Sequence, residues 1–427
     1  MIQTLKNAWH VPELRKKIIY TLVIIAIFRI GSAIPVPYID TAALAEYFEQ
    51  MSSTMLGYVN VFSGGGLSRA TIFAMSVTPY INASIILQLL TVAIPALERM
   101  VRDGGDEGRK KLTAITRYLG VALGLLQGYA YYVLLRSQGL LKYTDFLHGV
   151  VIVLTFTAGT ALIMWLGEHI TKNGVGNGIS VLLFAGIVSR GPSMAQSMIE
   201  LLRSGGVSIF IAAVIVVMAI AIVIFVVFIS DAERRIPIQY AKRVVGRKQY
   251  GGQSTHLPIK VNASGVMPII FASSIMSLPS TIEMMTNPKA GGLAEKIYAL
   301  FHSNNPFYIV LYIVLIFAFS YFYATIQFNP IEIANNLKKN GGFIPGFRPG
   351  RPTSDFIMKA LGKVTFMGAI FLAIIAGLPL IVGAFNASLS NVAIGGTSVL
   401  IVVGVALETV RQIESQLMMR NYKGFLE

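Results

Sequence analysis

Apolar stretches of about 18 residues or more follow one another along nearly the whole of this 427-residue chain, and no soluble fold buries so many. Each is long enough to cross about 30 Å of hydrocarbon as a helix. Helix is the required form, because an open backbone in lipid leaves its N–H and C=O groups without partners. Composition agrees, with 54% hydrophobic and only 13% charged residues. The pattern predicts an all-α membrane protein with ten spans, at 18–36, 71–94, 115–135, 149–168, 179–202, 207–229, 263–283, 307–327, 360–384 and 394–417.

Charge orients these spans. Arg15, Lys16 and Lys17 precede the first one and no small-residue cleavage site follows it, so it reads as a retained anchor with the N-terminus inside. Alternating from there, 27 of the 35 basic residues fall near the inner face. The outer side receives Arg69, Arg136, Lys142, Arg190, Arg203, Lys289 and Lys296, and Arg29 lies within the first span. This asymmetry supports an even span count with both termini inside. Much of the net charge of +15 is therefore topology.

Two inner loops carry more positive charge than orientation requires. The loop at 230–262 sets Arg243, Arg247 and Lys248 beside Tyr240 and Tyr250, a composition suited to an acidic protein surface or a phosphate backbone. The loop at 328–359 sets Lys338, Lys339 and Arg348 among glycines and Pro345, Pro349 and Pro352, which predicts a shaped turn with a basic tip rather than a helix. Contact with anionic lipid is the plainer alternative for both.

The spans themselves are nearly bare of charge. All six aspartates and all five histidines fall in loops or at span ends, leaving Arg29 and Glu408 inside. A coupled pump or transporter fixes its ions with buried carboxylates, histidines or broken helices at the midplane. Glu408 is the one candidate here, and pairing with Arg411 at i+3 is the expected structural role. No HExxH, GxSxG or GxxxxGK[ST] occurs, so no catalytic set assembles. Absence of cysteine removes disulfides, thiolate metal sites and cysteine nucleophiles, and no cofactor or metal site is expected. The glycine-rich NGVGNGIS around Gly174, Gly176 and Gly178 reads as a tight loop entering the fifth helix. The segment 57–72 is too short to span and too apolar for a free loop. It fits a re-entrant element with Gly64, Gly65 and Gly66 at its flexible end and Ser63 or Ser68 capping a short helix.

The strings FRIGSAIPVP at 28–37, VFSGGGLSRATIFAMSVTPYINASIILQLL at 61–90, MWLGEHITKNGVGNGIS at 164–180, RRIPIQYAKRVVGRK at 234–248, QSTHLPIKVNASGVMPIIFASS at 253–274 and FNPIEIANNLKKNGGFIPGFRPG at 328–350 resemble the bacterial SecY family, in order and along nearly the whole chain. The resemblance implies a protein-conducting channel in a bacterial plasma membrane, built of two pseudo-symmetric five-helix halves at 1–205 and 206–427. Its constriction is expected from Val77, Ile81, Ile179, Leu183, Ile270 and Ile401. A narrow apolar ring blocks ions because its side chains cannot replace their hydration shells, yet it yields around a passing chain. The plug is expected at 57–72, with Phe62, Gly64, Gly65, Gly66, Leu67, Ser68 and Arg69. The lateral gate is expected to hold Asn82, Gln88, Thr116 and Asn262.

Family partners implied for the inner face are the SecA ATPase and the ribosome, with Arg243, Arg247, Lys248, Lys338, Lys339 and Arg348 as contacts. SecE and SecG are the implied helical partners, signal sequences and lipids the implied ligands, and no small-molecule substrate is expected. From the residues alone, a secondary transporter dependent on Glu408 and a membrane-embedded docking scaffold remain as other classes.

Overall fold

The computed structural model describes residues 2–50, 60, 63–102, 104–203, 208–240, 243–245, 248–250, 254–262, 264–286, 292–302, 305–385 and 395–423. Helices appear wherever hydropathy predicts a span, but local chemistry sets their ends. The first half of the chain forms α1 (Ile2–His10), α2 (Pro12–Gly31), α3 (Thr41–Gln50), α4 (Thr78–Ala93), α5 (Pro95–Arg102), α6 (Gly105–Ser137), α7 (Phe146–Asn173), α8 (Gly178–Val188) and α9 (Gly191–Arg203). The remainder forms α10 (Ile209–Asp231), α11 (Met267–Thr286), α12 (Leu293–Leu300), α13 (Pro306–Gln327), α14 (Pro330–Lys339), α15 (Arg351–Phe385) and α16 (Gly395–Lys423).

Among the described residues, four helical stretches are long and apolar enough to cross a membrane: Gly105–Ser137, Phe146–Asn173, Pro306–Lys339 and Arg351–Leu378. A fifth follows if Thr78–Ala93 and Pro95–Val101, bent by 105°, count as one. Pro95 causes the bend, since it lacks an N–H and forces Ile94 into an extended conformation (ψ 110°).

Several expected boundaries move. The first span was expected to reach residue 36, but α2 stops at Gly31 and residues 34–36 pair instead with 70–72. The second was expected from residue 71, but Thr71–Val77 is non-helical and α4 begins at Thr78, with Pro79 in its first turn. The fifth is interrupted at Ser189 and Arg190, just before Gly191 and Pro192.

The basic loops also differ from expectation. Residues 330–339 are the helix α14, not a turn, because Asn329 caps it by accepting from Ile331 N (3.2 Å) and Glu332 N (3.4 Å) and Pro330 opens its first turn. The other loop holds the strands β1 (Glu233–Tyr240), β2 (Arg243–Val245), β3 (Lys248–Tyr250) and β4 (Ser254–Lys260). With β5 (Gly342–Phe343), β1 and β4 form an antiparallel sheet in the order β4-β1-β5. Pairing of Gln239 with Phe343 and Tyr240 with Gly342 fastens the two loops together. Ile236, Ile238, Ile259, Leu337, Ile344 and Ile357 form the small core beneath.

In the membrane part, α4 packs on α6, and both meet α11, which also packs on α13. On another side α16 packs against α10, α8 and α1. There Thr4 Oγ1 donates to Glu414 Oε1 at 2.9 Å, and Ala8, Leu14, Val175 and Ile413 form a small buried cluster.

Candidate functional site

The apolar residues expected to form a constriction converge. Val77, Ile81, Leu183, Ile270 and Ile401 are all buried in one hydrophobic cluster, and Ile179 packs against it. They arrive from separate elements, the N-terminal end of α4, the first turns of α8, the start of α11 and α16. The α8 pair is positioned by its cap: Asn177 Oδ1 accepts from Ile179 N (3.1 Å) and Ser180 N (3.5 Å), while Thr171 Oγ1 accepts from Gly178 N (2.9 Å). The NGVGNG turn is thus held by side chains as well as by its glycines.

Above this cluster lies a cavity of roughly 560 Å³. Ile81, Ile179, Leu183 and Ile270 line it together with Met267 and Phe271. Gln88, Thr113, Arg117, Glu168, Lys172 and Asn177 give the lining its polar and charged part. Arg117 on α6 grips Glu168 on α7 through two contacts, Nε to Oε1 at 2.6 Å and Nη2 to Oε2 at 2.5 Å. A bidentate pair of this kind fixes both side chains. The cavity thus joins charged and polar side chains to the apolar residues expected at the constriction.

Of the residues expected at a lateral seam, Gln88 is the one with a recorded bond to another helix. Tyr323 of α13 donates to its Oε1 at 3.1 Å, and its Nε2 donates to Ser84 Oγ at 3.2 Å. Thr116 is buried but donates to Leu112 O of its own helix. Asn82 Nδ2 and Asn262 Oδ1 are buried without hydrogen-bond partners among the described residues. Asn262 lies beside Gly368 of α15, where a Cβ would meet its Cα at 3.9 Å.

Residues 63–77 are tight turns, with no helix among the described part; Phe62 lies outside the described residues. Gly64 and Gly65 take φ +67° and +82°, which a helix cannot use. Ser63 Oγ accepts from Leu67 N (3.1 Å), and Asn60 Oδ1 accepts from Ser68 N (3.0 Å). These side chains do the work of caps within a compact knot. Gly64 lies against α8, where a Cβ would sit 2.8 Å from Gly186 O, and Arg69 is exposed.

In the loop expected to face inward, Arg348 is exposed in a turn shaped by Gly346 (φ +87°) and Gly350 (φ +109°). Lys338 and Lys339 are exposed in the last turn of α14. Arg243 and Lys248 stand at the two ends of the β2–β3 pairing, and Arg247 lies outside the described residues. Glu408 is exposed and does not take the expected Arg411: that guanidinium reaches Asp231 and donates to Ser230 O at 2.9 Å.

The SecY family model matches residues 71–410. The chain belongs to the SecY family. The protein translocase subunit SecY of Streptomyces scabiei is 44% identical over 440 residues, covering all of both chains. That of Thermotoga maritima is 45% identical over 442 residues, covering all of this chain and 98% of the relative. A solved protein-conducting channel has a TM-score of 0.66 at 19% identity, covering 94% of this chain and 92% of its own. Sec61 from the canine ribosome-channel complex of the endoplasmic reticulum gives 0.63 at 18%, with the same coverages. Both likenesses show the fold. Against this SecY-family background, sequence reasoning missed Tyr323 and the Arg117–Glu168 pair, because a tyrosine in an apolar run and charges near span ends look ordinary until helices are packed.

Proposed function

We propose that this chain is the central, protein-conducting subunit of a bacterial Sec translocase. It passes unfolded secretory polypeptides through its apolar constriction and releases hydrophobic segments sideways between α4 and α11. The observation that carries this reading is the gathering of Val77, Ile81, Leu183, Ile270 and Ile401 in one buried cluster, with Ile81, Ile179, Leu183 and Ile270 also lining a cavity that holds polar and charged side chains. Polar side chains keep an entering chain hydrated, and the apolar constriction withholds water and ions until the chain fills it.

Ten spans in two halves fit the helices, with α2, α4, α6, α7 and α8–α9 in residues 1–205 and α10, α11, α13, α15 and α16 in 206–427. Turns 63–72 act as the plug over the outer side of the ring. The chain is a channel rather than a catalyst, so directed movement requires an external motor. SecA or a translating ribosome docks on Arg243, Arg247, Lys248, Lys338, Lys339 and Arg348, SecE and SecG complete the complex, and both termini face the cytoplasm of a bacterial inner membrane.

Reconstitution tests this. Proteoliposomes with the chain and its SecE partner, given SecA, ATP and a secretory precursor, are expected to accumulate protease-protected precursor, and Arg348→Glu to abolish accumulation at unchanged abundance. Full accumulation by Arg348→Glu would remove that contact. Absence of any accumulation, with saturable uptake of a small solute dependent on Glu408, would replace the channel by a transporter.

A further inference from the structure

Tyr131 lies on α6, fully buried among Ile152, Phe156, Leu67 and Ala74 in a cluster separate from the ring. Its ring meets Phe156 edge-on at 5.3 Å. Burying a phenol among hydrocarbon requires its hydroxyl to find an acceptor. The acceptor is the main-chain carbonyl of Leu67, at 2.6 Å. That carbonyl also takes Ala70 N at 3.0 Å, so both of its lone pairs are engaged and the hydroxyl is bonded directly into the 63–70 knot.

The rest of the knot's attachment differs in kind. Val36 N donates to Ala70 O (2.8 Å) and Ile72 N to Ile34 O (3.0 Å), a short strand-like pairing where the knot rejoins the chain. Immediately around it, Ala70 and Ser76 hold φ of +45° and +51°. Non-glycine residues adopt this region only when surrounding contacts impose it. The knot is therefore folded on itself, joined by backbone pairing at 70–72 and tied to α6 at Leu67 O by the Tyr131 hydroxyl.

We propose that Tyr131 is a positioning residue that latches the 63–70 turns in their resting place through Leu67 O, while the pairing at 34–36 and 70–72 is the hinge on which they swing. The inference rests on reading these turns as the plug. Leaving the resting place uncovers the Tyr131 hydroxyl and the Leu67 carbonyl together, which sets how often the turns depart.

The test uses Tyr131→Phe, which keeps the ring and deletes the hydroxyl. The chain has no cysteine, so a single Ser68→Cys reports the turns without background. Purified complexes in planar bilayers and vesicles would be probed with a membrane-impermeant maleimide from the outer side, with idle ion conductance recorded in parallel. Loss of one buried hydrogen bond is expected to raise the labelling rate at position 68 about fivefold. A control cysteine at Ser320, buried on α13, is expected to keep its rate. Unchanged labelling at position 68, or an equal rise at 68 and 320, would overturn the latch. Faster labelling at 68 with unchanged conductance would leave the latch standing and remove the plug reading instead.

Discussion

The hydroxyl of Tyr323 on α13 donates to Gln88 Oε1 on α4 at 3.1 Å, tying together residues 235 positions apart. The ring of Tyr323 also meets Phe271 of α11 edge-on at 5.2 Å, one residue from Ile270 of the proposed constriction. A hydrophobic segment leaving sideways must part this pair. The bond contributes about 1 kcal/mol, and each Leu, Ile, Phe or Val of an inserting segment contributes about 0.3 to 0.6 kcal/mol. Tyr323→Phe is therefore expected to let segments with about two fewer leucines integrate. A glycosylation- or protease-mapped series of leucine-graded segments measures this, and an unchanged midpoint would dismiss the pair as a gate element.

Gly178 opens α8 in contact with α7. A Cβ there would fall onto Gly167 O and 2.8 Å from Ile170 Cβ. Gly178→Ala forces α8 and its ring residues Ile179 and Leu183 away, at a cost of about 1–3 kcal/mol. Gly191→Ala, where a Cβ meets open space, is expected to change stability by less than about 0.5 kcal/mol. Thermal unfolding of the two purified variants compares them directly.

His302 and Glu283 pair at 3.5 Å between the α12–α13 connection and the end of α11. The hydrogen bond to Glu283 raises the His302 pKa above its usual 6.5, more than burial lowers it. A raised folded-state value means that the stabilisation is fully present below about pH 6.5 and fades as pH rises through the folded pKa. Both groups are substantially exposed, so the effect is at most about 1 kcal/mol. Wild type is expected to lose its advantage over His302→Gln between slightly acidic and mildly alkaline pH, as read by thermal unfolding; a constant difference would contradict the pairing.

Gly64 rests beside Ser189, with a Cβ at 64 placed 3.2 Å from Ser189 Oγ. In this cysteine-free chain, Gly64→Cys with Ser189→Cys is expected to cross-link on oxidation after a small backbone shift that relieves the contact with Gly186 O and the φ of +67°, and the reduced double variant serves as the control for that strain. Precursor translocation should then stop and return on reduction. Translocation that persists with the bond formed would show that 63–70 need not move.

Much of this was legible in the sequence because lipid leaves few choices. Runs such as 307–327 and 149–168 need only length and hydropathy, and α13 and α7 appear there. The resemblance of the motif strings to the SecY family then implied Ile81, Ile179, Leu183 and Ile270, which line one cavity. What stayed hidden depends on packing or on local hydrogen bonds. Tyr131 and Tyr323 are unremarked tyrosines until Leu67 O and Gln88 come within reach. Residues 71–77 are as apolar as a span, yet pairing of 70–72 with 34–36 and the left-handed Ser76 keep them out of α4. The helix α14 was masked by the glycines and prolines that follow it, although Asn329–Pro330 is a helix start.

The most direct test of the central claim is the idle conductance of Ile81→Asn combined with Ile270→Asn in planar bilayers. Both side chains line the cavity, buried in one cluster with Val77, Leu183 and Ile401. Two amides there would hydrate the constriction, so a steady ion leak and acceptance of precursors with weakened signal segments are expected. A double variant that folds, assembles and conducts no more than the native chain would contradict the apolar ring as the barrier.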